Sequence, residues 1–122
     1  MAHTFRDIKV WEKAHKLVLE IYKITGKFPS HEKYGLTAQI RRSAASVPTN
    51  IAEGYKRKSD KDFLHFLNIA DSSLEETKYH CNCSASRRIS IIVRASSEAA
   101  SRELLDSAFG LARRISSEYF YS

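Results

Sequence analysis

The chain is poor in the residues that most often announce chemistry or cross-linking. Among its 122 residues are four glycines, two prolines, two cysteines, one methionine and one tryptophan. Gly26, Gly35, Gly54 and Gly110 are isolated, so there is no glycine-rich loop to cradle a phosphate and no nucleophile elbow. Cys81 and Cys83 stand too close together for a normal structural disulfide, which fits a reducing compartment. Zinc sites ordinarily use a wider-spaced cysteine pair and a second pair at a distance. His80-Cys81-Asn82-Cys83 is therefore not read as a metal centre, and neither metal nor cofactor is expected. No apolar run is long enough to span a membrane. The N-terminus, charged from Arg6 onward, lacks a signal-peptide core. These absences predict a cytoplasmic protein forming one domain over residues 1–122, with a modest core. No paired carboxylates sit with a recognisable base, and Asp71, Glu75 and Glu76 read as solvated charges. Neither a catalytic role nor a small-molecule substrate is expected.

Acid is also scarce, but only in one half. Residues 1–61 carry 13 Lys/Arg against 6 Asp/Glu, and residues 62–122 carry 7 against 8, within a net charge of +6. A one-sided basic excess suits a polyanion such as RNA or DNA, which binds through counterion release. Arg41, Arg42, Lys56, Arg57, Lys58 and Lys61 are the candidate phosphate contacts. The plainer alternative is a solvated basic loop. Only Tyr55 near them offers a ring for stacking, so binding should be directed at the backbone and weakly sequence-specific.

What the chain does have is helical periodicity, densest between Tyr34 and Lys58. Leu36, Ile40, Ala44, Val47 and Ile51 make one apolar stripe of a helix predicted from His31 to Arg57. Beside it run Gln39, Ser43, Ser46, Asn50 and Glu53, polar and mostly small, while Ala38, Ala45 and Ala52 mark a third side. The polar stripe is either a partly solvated face that allows close helix approach, or a satisfied network that fixes register along a subunit seam. Pro48 lacks the N–H owed to Ala44, so one bent helix is expected, with Asn50 able to reach freed carbonyls and Gly54 ending or loosening it.

Ahead of this, Asp7 can cap a first helix running to Thr25 or Gly26. Its two apolar stripes are Ile8, Trp11, His15, Val18, Tyr22 and Val10, Ala14, Leu17, Ile21, Ile24. Together they cover about 200°, wider than one core requires, which favours burial against another subunit. Phe28 can pack over the turn. Ser59 or Asp60 caps a third helix with Phe63, Leu67, Ala70 and Leu74 inward. The stretch His80–Val93 loses the helical period, and a fourth helix is predicted from Ser97, with Leu104, Ala108, Leu111 and Ile115 inward and an aromatic tail, Tyr119–Tyr121, beyond.

Several motifs occur in an order that resembles one family. They are Phe5–Ala14 (FRDIKVWEKA), Phe28-Pro29, Tyr34-Gly35-Leu36, Gln39-Ile40-Arg41-Arg42 and Ser46–Gly54 (SVPTNIAEG). The chain is similar over about residues 5–80 to the four-helix-bundle proteins encoded by intervening sequences in bacterial large-subunit rRNA genes. The resemblance implies an all-α, antiparallel up-down four-helix bundle with a Pro-kinked second helix, assembling into a ring oligomer, a homopentamer. The wider family includes the accessory protein of diversity-generating retroelements, which binds nucleic acid with its reverse transcriptase. Self-association and RNA or DNA, with a reverse transcriptase as a further partner, are therefore the implied interactions. A protein–protein scaffold is the rival reading.

Residues 80–96 depart from that pattern. Ser84–Ile92, back-translated with ordinary codons and read one nucleotide later, gives Ala-Arg-Ala-Ala-Gly-Tyr-Leu-Ser, which resembles the family's segment there. A short out-of-frame stretch is the hypothesis, and a gene without that second reading frame refutes it.

Overall fold

The computed structural model describes residues 8–28, 35–82, 94–108, 110 and 113. Among them there are four helices and no strand: α1 (Lys9–Thr25), α2 (Leu36–Tyr55), α3 (Asp60–Asn82) and α4 (residues 94–108). The fold is all-α.

α1 contains no glycine or proline, and its buried residues Val10, Ala14, Leu17, Ile21 and Thr25 recur at helical spacing. The N-cap position falls on Ile8, which supplies no side-chain bond, rather than on the expected Asp7, which lies outside the described residues. The wide apolar face divides. Val10, Ala14, Leu17 and Ile21 are sealed in the core, Ile8, Trp11, His15, Val18 and Ile24 are half-buried, and Tyr22 is exposed. Phe28 packs against the core after the turn.

α2 runs unbroken through Pro48. It starts at Leu36 and ends at Tyr55, inside the range predicted from periodicity, because Gly35 holds the N-cap position and Lys56 the C-cap. Gly54 does not terminate it. A Cβ there would lie 2.7 Å from Phe66 Cβ and 3.0 Å from Phe63 Cδ1. Its missing side chain lets α3 approach, so the glycine is a packing device rather than a cap.

Ser59 begins α3, its Oγ accepting the Asp62 N–H at 3.1 Å, with Asp60 and Asp62 in the positively polarised first turn. The helix carries on through His80, Cys81 and Asn82, where the sequence period suggests a break. Cys81 faces the core and takes the place of an aliphatic residue there. α4 is already helical at residue 94, ahead of the start predicted at Ser97, which is buried and donates to the Arg94 carbonyl at 3.1 Å. Leu111, Ile115, the tail and residues 83–93, including Cys83 and the suspected out-of-frame stretch, lie outside the described residues.

One apolar cluster joins all four helices. Val10, Ala14, Leu17 and Ile21 meet Ile40, Ala44, Val47 and Ile51 of α2, Leu67, Ala70, Leu74 and Cys81 of α3, and Ala100 and Leu104 of α4. Each large aliphatic side chain sealed there contributes about 1.5–3 kcal/mol. α2 packs on both α1 and α3. Along α3, Phe63 and Phe66 meet Gly54, Ser73 meets Ser46, and Thr77 meets Ser43, so positions rising on one helix face positions falling on the other.

Candidate nucleic-acid interface

The six candidate cations do not form one patch. Arg41 and Arg42 lie in the first half of α2, while Lys56, Arg57, Lys58 and Lys61 surround the α2–α3 connection. About fifteen helical residues separate the two groups, roughly 22 Å along the axis.

Arg41 is committed to structure. Its Nε donates to Thr25 Oγ1 at 2.8 Å, and its guanidinium sits 4.6 Å from the centre of the Tyr22 ring. Thr25 in turn donates to the Ile21 carbonyl at 2.7 Å, so the end of α1 is tied to α2 through one satisfied hydroxyl. Arg42 is exposed.

At the other end Lys56, Arg57, Lys58 and Lys61 are all exposed. The Arg57 guanidinium lies 4.8 Å from the Phe66 ring centre and 3.6 Å from the Glu53 carboxylate. Asp60 and Asp62 share this corner, so its basic excess is moderate. Tyr55 meets Phe63 edge-on, at 6.2 Å and 86°.

The polar stripe of α2 splits along its length. Ser43, Ser46 and Asn50 are drawn into a ladder with α3 of the same chain. Thr77 Oγ1 lies 2.9 Å from Ser43 Oγ, Ser46 Oγ lies 2.9 Å from Ser73 Oγ, and Asn50 Nδ2 donates to the Ser46 carbonyl and hydroxyl at 2.8 and 2.9 Å. Asn50 thus serves Ser46, not the Ala44 carbonyl to which Pro48 cannot donate. Gln39 is half-buried, and Glu53 points out to Arg57. Ser73 and Thr77 cannot be recognised as partners along the sequence, because they sit on another helix and look like ordinary small polar residues.

A groove also escapes sequence reasoning. Trp11 and His15 on α1 stack with ring centres 4.8 Å apart and 13° between planes. They line a groove of about 360 Å³ with Pro48, Ala52 and Glu53 of α2 and its C-cap, Lys56. The apolar stripe predicts no more for His15 than a packed histidine. The signal that brings it into one groove with Lys56 lies in the pairing of α1 with α2, not in local spacing.

No cluster of metal-ligating groups occurs among the described residues. His80 Nε2 is 3.4 Å from Glu76 Oε1, and burial pushes the Cys81 thiol up to about 11. Among the described residues no helix is long and apolar enough to cross a membrane.

A comparison with curated proteins finds no match. Among solved structures, the chain is similar to a protein of unknown function from the S23 ribosomal protein family of Bacteroides thetaiotaomicron. The TM-score is 0.71 at 22% identity, over 81% of this chain and 97% of the other. That likeness is one of fold. The family model of the 23S rRNA-intervening sequence protein matches residues 6–115. With a match over nearly its whole length, the chain belongs to the 23S rRNA-intervening sequence protein family.

Proposed function

We propose that this protein is a non-catalytic basic oligomer that binds the RNA or DNA backbone in the cytoplasm, as an accessory to a nucleic-acid enzyme such as a reverse transcriptase. The observation that carries the reading is the exposed run Lys56-Arg57-Lys58, with Lys61 beside it, at the corner where α2 passes to α3. Lysines and arginines held at the C-terminal end of a helix are favourably placed for the fold and remain available to phosphates. The helices form an up-down bundle bent at Pro48, and five copies close a ring that repeats the basic corner. Repetition supplies the avidity that one moderate patch lacks. Arg42 adds a second, separate contact.

The test is binding of a random-sequence RNA across salt concentrations. Affinity that is measurable at low salt and falls steeply as salt rises supports the proposal. No binding at low salt refutes it and favours a protein–protein scaffold. That second reading has its own support in the exposure of Leu19, Tyr22 and Leu105, at 55%, 46% and 51%.

A further inference from the structure

The groove between α1 and α2 adjoins the basic run through Lys56 and holds the one tryptophan of the chain. Three features combine there. The rings of Trp11 and His15, stacked on each other, line its α1 side. Pro48 and Ala52 make an apolar wall on α2. Lys56, the C-cap of α2, lines the groove and is also the first of the exposed basic run.

An aromatic surface bordered by a cation is what an unstacked base and its phosphate require, and sequence-tolerant single-strand binders combine these two elements. A volume of about 360 Å³ is enough for one small planar group but not for a duplex edge. We propose that this groove takes one nucleobase of a single-stranded nucleic acid, its phosphate resting on Lys56 and the strand leaving along Arg57 and Lys58. The inference rests on the nucleic-acid reading above and narrows it to single strands. Charge complementarity selects this occupant, because Lys56, the cation that lines the groove beside the single carboxylate of Glu53, leads on into exposed Arg57 and Lys58.

Glu53 then sets a preference. It lines the groove with its carboxylate 3.6 Å from Arg57. A carboxylate only accepts hydrogen bonds, so it suits the exocyclic amine of cytosine and opposes the carbonyl that uracil presents at the same place. A duplex, with its bases stacked and paired, gains nothing from the groove and meets the basic run alone.

The experiment titrates the full chain with short oligocytidylate, short oligouridylate and an RNA duplex at low salt, following the emission of Trp11. Because there is one tryptophan, the signal reports on the groove. Oligocytidylate should quench the emission and bind more tightly than oligouridylate, whereas the duplex should bind without quenching. Ala52→Leu fills the apolar wall without changing charge, and should weaken oligocytidylate binding about 5- to 150-fold, the worth of one base–aromatic stack, leaving the duplex unaffected. If that variant loses its fold, Glu53→Gln on the exposed side still decides the matter by bringing the two oligonucleotides to near parity. Oligocytidylate binding with no change in Trp11 emission, insensitive to both substitutions, overturns the groove while leaving backbone binding in place. Failure of all three nucleic acids to bind overturns both.

Discussion

The hydroxyls of Ser43 on α2 and Thr77 on α3 lie 2.9 Å apart where both residues are buried. Ser43 also reaches the Ile40 carbonyl at 3.1 Å, and Thr77 the Ser73 carbonyl at 2.8 Å. The two hydroxyls carry one proton each, so they cannot make all three contacts at once. Each still keeps a partner whichever arrangement holds. The pair therefore specifies how α2 and α3 align more than it adds stability.

Thr77→Val keeps the shape and removes the hydroxyl, and should cost about 1 kcal/mol, as should Ser43→Ala. Their combination should cost less than the sum by about 0.5–1 kcal/mol, since the contact is already lost in either single variant. Urea unfolding of the four proteins measures this. Strictly additive losses would mean that the hydroxyls do not interact.

Gly54 gives a reversal of sign. In an exposed helix interior, replacing glycine by alanine stabilises by about 1 kcal/mol. At Gly54 the new methyl would meet Phe66 Cβ at 2.7 Å, an atom fixed to the α3 backbone. Gly54→Ala should therefore destabilise, by about 1–3 kcal/mol. Gly110 is exposed, and a methyl added there would meet nothing within 4 Å, so its change to alanine should show the ordinary gain. Thermal melts of the two variants should move in opposite directions, and a rise for Gly54→Ala would contradict the close approach.

The two neighbouring arginines should separate structure from binding. Arg41→Ala removes the bond to Thr25 and the ring contact with Tyr22, and should lose about 1–3 kcal/mol of stability. Lysine should not restore it, because it lacks the planar fork. Arg42→Ala, at an exposed position, should change stability by less than about 0.5 kcal/mol while weakening RNA binding. Equal melting temperatures for the two variants would show that Arg41 is not tied down.

How far the chain can be read in advance depends on whether the signal is local. Ile40, Ala44, Val47 and Ile51 are all sealed in the core, as their spacing predicts, because a stripe at helical period has one way to hide. Gly54 reads as a terminator along the chain, since a glycine needed for close approach and one needed for a cap look alike there. Arg41 counts as a free cation until Thr25, sixteen residues away, comes beside it. The partners of Ser43 and Ser46, and the groove that Trp11 and Lys56 share, depend on which helix faces which. Periodicity within one helix says nothing of that.

Cys81 should resist chemistry that an exposed thiol undergoes. Burial raises its pKa from 9.0 to about 11, so near pH 8 the thiolate is roughly a hundredfold scarcer than in the unfolded chain. In a Cys83→Ser background, iodoacetamide should label the folded protein slowly and the urea-unfolded protein fast. The sign for stability follows. The folded state holds the proton more tightly, so this contribution is complete below pH 9.0 and is lost as pH rises through about 11. Rapid labelling without denaturant would show that Cys81 is not sealed among the helices.

The most direct measurement compares the salt dependence of single-stranded RNA binding for the wild-type protein and the Lys56→Ala, Arg57→Ala, Lys58→Ala triple variant. Plotted as the logarithm of affinity against that of salt concentration, the wild-type slope should be steep, and loss of three phosphate contacts per chain should flatten it by about 2. Identical slopes for the two proteins would contradict a binding role for this corner of the fold.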